Sequence, residues 1–158
     1  MLTIHLADEA ATEQWGGWMA HALRVVNPGA LFITLSGELG AGKTTWVRAL
    51  LRALGVTELV RSPTYSLLES YPISERCVHH LDWYRLQGEA DLEGLGFREL
   101  LALGHWVLVE WPERIPEVAT RADVAVVLTY QGLGRRVTLT AQSDRGAAVL
   151  AQLSAQKT

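Results

Sequence analysis

The stretch Leu35-Ser36-Gly37-Glu38-Leu39-Gly40-Ala41-Gly42-Lys43-Thr44-Thr45 decides the fold. From Gly37 to Thr44 it satisfies Gly-x-x-x-x-Gly-Lys-[Ser/Thr] at every fixed position. This pattern is that of a phosphate-binding loop. Its glycines let successive backbone N–H groups turn inward around an anion. Lys43 supplies a point charge for β- and γ-phosphates, and the Thr44 hydroxyl is a ligand for Mg²⁺. A helix beginning here adds its unpaired N–H groups and the positive end of its dipole. The context agrees. Residues 30–36 form a continuous apolar run of the kind a buried central strand carries, and residues 45–54 have helical spacing that stops at Gly55. Strand, glycine loop and helix follow one another in the order that phosphate binding requires.

Working outward, residues 2–6 alternate as a short strand, and Asp8 is placed to cap a helix over 9–26. Gly16 and Gly17 weaken the middle of that helix. Residues 65–71 and 77–83 read as two strands joined around Pro72 and Ser74. Residues 88–103 read as helix interrupted by Gly94 and Gly96, and 105–110 as a buried strand closed by Pro112. Residues 122–130 and 135–141 flank Gln131-Gly132-Leu133-Gly134 as a second hairpin, and Ser143 caps a last short helix. Strands alternating with helices predict an α/β fold, a three-layer sandwich. The hairpins make its sheet mixed, with about seven strands and the parallel ones around the loop.

The chain of 158 residues is expected to be one domain, and such a chain buries about 70% of its unfolded surface. No apolar run approaches the roughly 20 residues of a membrane span, and the N-terminus lacks a basic, then apolar, leader. The single cysteine, Cys77, excludes an internal disulfide and reads as a small core residue. A cytoplasmic location is expected. The net charge is −3, and the basic residues are scattered rather than striped, so the footprint of a dedicated nucleic-acid binder is missing. The two lysines are Lys43 and Lys157, and neither is placed for the Asn-Lys-x-Asp reading of guanine. Adenine is the expected base.

A phosphate loop needs acids to hold Mg²⁺ and orient water. Asp82 and Glu110 each close an apolar strand, and such residues emerge at the carboxyl edge of an α/β sheet, where ligands bind. Thr64, in Ser62-Pro63-Thr64, stands in the connection that senses a γ-phosphate in many phosphate-loop proteins, although the same tripeptide is also an ordinary turn. His79 and His80 are neighbours on a strand, face opposite sides, and do not form a metal pair. Two readings fit Trp111: a cover that excludes water, or a packing residue.

In order and spacing, the glycine loop, Ser62-Pro63-Thr64-Tyr65, His80-x-Asp82-x-Tyr84-Arg85, Leu95-Gly96 and Val109-Glu110-Trp111-Pro112-Glu113 resemble the bacterial threonylcarbamoyladenosine biosynthesis ATPases of the TsaE (formerly YjeE) family. The resemblance runs from Asp8 to about Val137 and implies a P-loop ATPase. Gly37, Gly40, Ala41, Gly42, Lys43, Thr44 and Thr45 would hold the phosphates of ATP. Thr44, Glu110 and Asp82 would hold Mg²⁺, with Lys43, Asp82, Glu110 and Thr64 in the catalytic set. Thr12, Trp111 and Arg136 match positions near the nucleotide, Arg136 through the last hairpin. The family works with a TsaD–TsaB-type heterodimer and reaches tRNA through that complex. There its ATPase cycle is required for repeated modification next to the anticodon. A small-molecule kinase, with Arg114 and Arg121 on a lid, and a non-hydrolysing ATP-dependent switch are the alternatives.

Overall fold

The computed structural model describes residues 1–156 and has the element order β1 (Leu2–Leu6), α1 (Glu9–Val26), β2 (Leu31–Gly37), α2 (Lys43–Ala53), β3 (Leu68–Pro72), β4 (Cys77–Asp82), α3 (Glu89–Gly94), α4 (Phe97–Ala102), β5 (Trp106–Glu110), α5 (Pro116–Ala119), β6 (Val124–Gln131), β7 (Gly134–Ala141) and α6 (Asp144–Gln156). All seven strands join one sheet in the order β1-β7-β6-β2-β5-β4-β3. The β2–β5, β2–β6 and β4–β5 pairs are parallel, and the β1–β7, β6–β7 and β3–β4 pairs antiparallel. The mixed α/β sheet expected from the sequence is therefore present, with its parallel strands around the glycine loop.

Strand alternation divides the core between the two faces. Ile33, Leu35, Val78, Leu108, Val126 and Val137 pack with Trp15, Met19, Trp46 and Leu50 under α1, α2 and α6. Phe32, Leu81, Val107 and Val109 pack on the other face with Leu92, Phe97 and Val118 of α3, α4 and α5. Trp83, just beyond β4, joins the second cluster and meets Phe97 edge-on at 5.7 Å between ring centroids. No helix among the described residues is long and apolar enough to cross a membrane.

The local signals explain most boundaries. Asp8 accepts the Ala11 N–H at 2.9 Å and caps α1, and Ser143 accepts the Gly146 N–H at 3.0 Å at the start of α6. The segment at 88–103 is two short helices rather than one, because Gly96 adopts φ +73° between them. The expected strand at 65–71 starts later, at Leu68. Residues 63–67 form a turn in which the Leu67 N–H donates to Pro63 O at 2.8 Å.

Gly16 and Gly17 do not break α1. Gly16 lets α1 lie directly on α2: a Cβ there would stand 2.6 Å from Ala49 Cβ and 2.8 Å from the Ala49 carbonyl carbon. One residue earlier, Trp15 stacks on Trp46 with centroids 4.6 Å apart. The propensity lost at Gly16 is outweighed by this close packing. At Gly17 an added Cβ would meet nothing within 4 Å.

The two glycines should consequently respond to alanine with opposite signs. Gly16→Ala is expected to destabilise the protein by about 2 kcal/mol through overpacking. Gly17→Ala is expected to stabilise it by up to about 1 kcal/mol through helix propensity. Urea unfolding of the two variants beside the parent measures both, and equal effects would rule out close helix contact as the reason for Gly16.

Candidate functional site

The loop between β2 and α2 is shaped by left-handed backbone at Gly40 (φ +79°) and Gly42 (φ +102°), conformations that a side chain disfavours. α2 begins at once with Lys43, so its first N–H groups open toward the space the loop encloses. A cleft of about 220 Å³ lies there, lined by residues 39–45 with Ser62, Thr64, Asp82, Glu110 and Trp111. The structure thus gathers most of the predicted site residues around one cavity. Gly37 takes part through its carbonyl, which accepts a hydrogen bond from Lys43 Nζ.

The acids arrive by sheet geometry. β4 and β5 are parallel and in register with Asp82 opposite Glu110, so both carboxylates leave the same edge on the same face. Glu110 is almost fully buried and accepts hydrogen bonds from two sides: from Thr44 Oγ1 at 3.0 Å and from His80 Nε2 at 2.6 Å. His80 is completely buried, two residues before Asp82, and its Nδ1 has no hydrogen-bond partner among the described residues. Its role was not read from the sequence, although the period-2 spacing of His80 and Asp82 puts them on one face.

Asp82 accepts the Tyr84 N–H through Oδ1 at 2.8 Å. Burial raises the Asp82 pKa above the ordinary carboxylate value, and the neighbouring Glu110 pushes the same way. Burial lowers the Lys43 pKa, against the opposing pull of Glu110, Glu113 and Asp82. In both cases burial makes the charged form expensive unless a counter-charge meets it.

Lys43 Nζ also lies 4.1 Å from the centroid of the Trp111 indole. Trp111 has φ +61°, unusual for a bulky residue, and this turn at the end of β5 aims the indole back over the lysine. Tyr84 packs beside the Trp111 indole, ring centroids 5.0 Å apart, and Arg114 lies over Tyr84. Trp111 thus lines the cleft beside Lys43. Thr64 reaches the same cleft, its hydroxyl 2.7 Å from that of Ser62.

Thr12 and Thr45 line a second hollow of about 230 Å³ on the far side of the loop, with Asp8, Gly40, Leu133 and Arg135. Arg135, not Arg136, reaches the loop: its guanidinium donates to Gly40 O and Ala41 O, each at 3.2 Å. Arg136 is exposed and lies one step along an extended strand, so its side chain leaves the opposite face. The buried Val137 and Leu139 mark the inward face, and counting back by two from them arrives at Arg135. Tyr130 completes the brace by donating to Leu39 O at 3.0 Å. Arg121 is not brought to the cleft; it lines a separate hollow beside Leu92, Phe97 and Asp123.

The model of the family described as threonylcarbamoyl adenosine biosynthesis protein TsaE matches residues 6–137. The chain belongs to the TsaE family. It is 34% identical over 154 residues to the tRNA threonylcarbamoyladenosine biosynthesis protein TsaE of Haemophilus influenzae, covering 97% of this chain and 98% of that one. It is 34% identical over 123 residues to the TsaE protein of Bacillus subtilis, with 77% of each chain covered. The crystal structure of Bacillus subtilis YdiB superposes with a TM-score of 0.79 at 24% identity, over 99% of this chain and 96% of that chain, a likeness of fold. The TsaE match takes in the loop, both acids, His80, Trp111 and Arg135.

The different placements of the two arginines have a direct test. Arg135→Ala is expected to weaken binding of a fluorescent adenine nucleotide about 10-fold, the scale of one lost charge-assisted hydrogen-bond set. Arg136→Ala should leave the affinity within about 2-fold. The reverse order would return the role to Arg136.

Proposed function

We propose that this chain is an ATP-binding and ATP-hydrolysing subunit with a P-loop NTPase fold, serving threonylcarbamoyladenosine modification of tRNA. The observation that carries the ATPase reading is the convergence of Thr44, Glu110 and Asp82 on the mouth of the glycine loop, with Lys43 beside them. The pathway rests on family membership and on the names of the Haemophilus and Bacillus relatives.

The donor set suits Mg²⁺, a hard ion that takes hydroxyl, carboxylate and phosphate oxygens. Thr44, Glu110 and Asp82 would hold it, and it would offset the charge of the phosphates. The loop N–H groups and Lys43 grip the β- and γ-phosphates, and the hollow beside Thr12, Thr45 and Arg135 takes the nucleoside. Glu110 has oxygens committed to Thr44 and His80, so it would serve the ion through the threonine hydroxyl that it holds in place. Asp82 spends Oδ1 on the Tyr84 N–H, which leaves its other oxygen for the Mg²⁺ site. Trp111 and Thr64 close the γ-phosphate side against solvent.

Hydrolysis by the chain alone should be slow. Arg135, the arginine at the loop, is bonded to loop carbonyls, and Arg114 lies against Tyr84. A charge supplied at the transferring phosphoryl group is worth roughly 10³–10⁵ in rate, and a partner is its natural source. The partner we assign is a TsaD–TsaB-type heterodimer, through which the ATPase reaches tRNA in the cytoplasm. The position of Arg121, away from the cleft, speaks against the alternative of a kinase with an arginine lid.

ADP release measured with and without the heterodimer and tRNA tests this. Stimulation of at least about 10-fold is expected, a small part of what a supplied charge can give. Glu110→Gln should lower the stimulated rate about 100-fold. No stimulation would overturn the proposed mechanism, and unimpaired modification by Glu110→Gln would favour the non-hydrolysing switch.

A further inference from the structure

β4 carries chemistry on both faces. His80 and Asp82 turn toward the phosphate cleft, whereas Cys77 and His79 share the opposite face. The parallel register pairs Val78 with Trp106, so the residue before each, Cys77 and His105, also stand side by side. These three side chains gather at the amino ends of β4 and β5, the end of the sheet remote from the glycine loop. The Cys77 Sγ and one ring nitrogen from each histidine all lie within 4.8 Å of one another. The imidazoles face each other with His79 Nε2 2.8 Å from His105 Nδ1, and the Ser70 hydroxyl of β3 lies 2.7 Å from His79 Nδ1.

We propose that Cys77, His79 and His105 form a binding site for a borderline transition-metal ion, Zn²⁺ foremost, separate from the nucleotide cleft. A thiolate and two imidazoles are the donors such an ion selects, and Mg²⁺ avoids them. Three protein ligands leave a fourth tetrahedral position, and Cys77 and His105 are only partly buried, so a water can fill it. From bond lengths of about 2.0–2.3 Å, tetrahedral ligand atoms stand roughly 3.3–3.6 Å apart, so the site needs only small side-chain shifts. Ser70 supplies the outer contact that metal-bound histidines use: as acceptor from Nδ1–H it leaves Nε2 free to coordinate. Burial and the neighbouring His105 hold the His79 pKa down to about 4, so its ring is neutral at physiological pH, as a ligand must be. Binding releases the Cys77 thiol proton to solvent and forms the metal–sulfur bond, with no redox change.

Such an ion would join β4 to β5 directly and β3 through Ser70, fastening the edge hairpin to the parallel core. The proposal is independent of the ATPase reading, because none of its ligands touches the cleft.

Titration of the full-length, chelator-treated protein with Co²⁺, in excess Mg²⁺, tests it. One equivalent should produce a thiolate-to-cobalt charge-transfer band together with the intense d–d bands of tetrahedral Co²⁺, and Zn²⁺ should displace both. Cys77→Ser should abolish the charge-transfer band, and Ser70→Ala should weaken Co²⁺ binding about 10-fold. In His79→Gln and His105→Gln the d–d intensity should collapse. His105 and Cys77 lie at the rim, so their variants serve should His79→Gln unfold. Zn²⁺ should also raise the melting temperature of the parent and not that of Cys77→Ser. Absence of the charge-transfer band in the folded parent, or a band unchanged in His105→Gln, would overturn the site and leave a plain histidine–histidine hydrogen bond.

Discussion

A carboxylate taken out of water must be met by donors or it takes up a proton, and Glu110 is such a carboxylate. Its solution organises the molecule. Thr44 comes from the first turn of α2 and His80 from β4, and each donates to the acid that ends β5. Three elements distant in sequence are thereby tied at one point, and the start of α2 is pinned at the edge where β4 and β5 finish. The loop preceding α2, with its left-handed glycines, is thus fixed at both ends: by β2 on one side and by this acid on the other. Removing one member of a buried set of this kind costs more than the bond itself, because the group left behind stays buried without its partner.

The other half of the loop is held from the opposite side of the sheet. Tyr130 at the end of β6 and Arg135 at the start of β7 donate to three consecutive carbonyls, Leu39, Gly40 and Ala41. A loop that points its N–H groups inward must point carbonyls outward, and outward carbonyls need donors as much as the inward groups need an anion. The last hairpin meets that requirement. Its antiparallel strands are thus part of the site, although they stand far from it in sequence.

This division explains what could be read from the chain without coordinates. The glycine loop, the apolar strands and Asp8 are local signals whose physics acts within a few residues, and the structure follows them closely. Asp82 and Glu110 were legible because strand ends in an α/β sheet have a known edge to reach. His80 was not, since its meaning depends on the register between β4 and β5, a pairing that no local pattern encodes. Arg135 and Arg136 form a run of two arginines, in which only the alternation set by Val137 and Leu139 distinguishes the one that meets the loop from the one that leaves it. Gly16 looked like a flaw in α1 because its reason, the surface of α2, lies in another element. Trp111 is a further case: its left-handed backbone follows from the sharp exit of the chain from β5, and nothing in Glu110-Trp111-Pro112 requires it.

β4 carries this logic one step further. A strand buried on both faces ordinarily holds apolar residues throughout, yet this one reads Cys77-Val78-His79-His80-Leu81-Asp82. The polar residues there find partners on their own faces: His80 Nε2 meets Glu110, Asp82 the Tyr84 N–H, and His79 Ser70 and His105. The neutral state imposed on His79 by burial is therefore compatible with an adjacent histidine that serves a carboxylate, because the sheet separates the two environments. Alternation along a single strand lets adjacent histidines meet unrelated chemical demands without either perturbing the other. It also means that polarity in β4 is not tolerated by the core so much as distributed to its two faces, where partners exist.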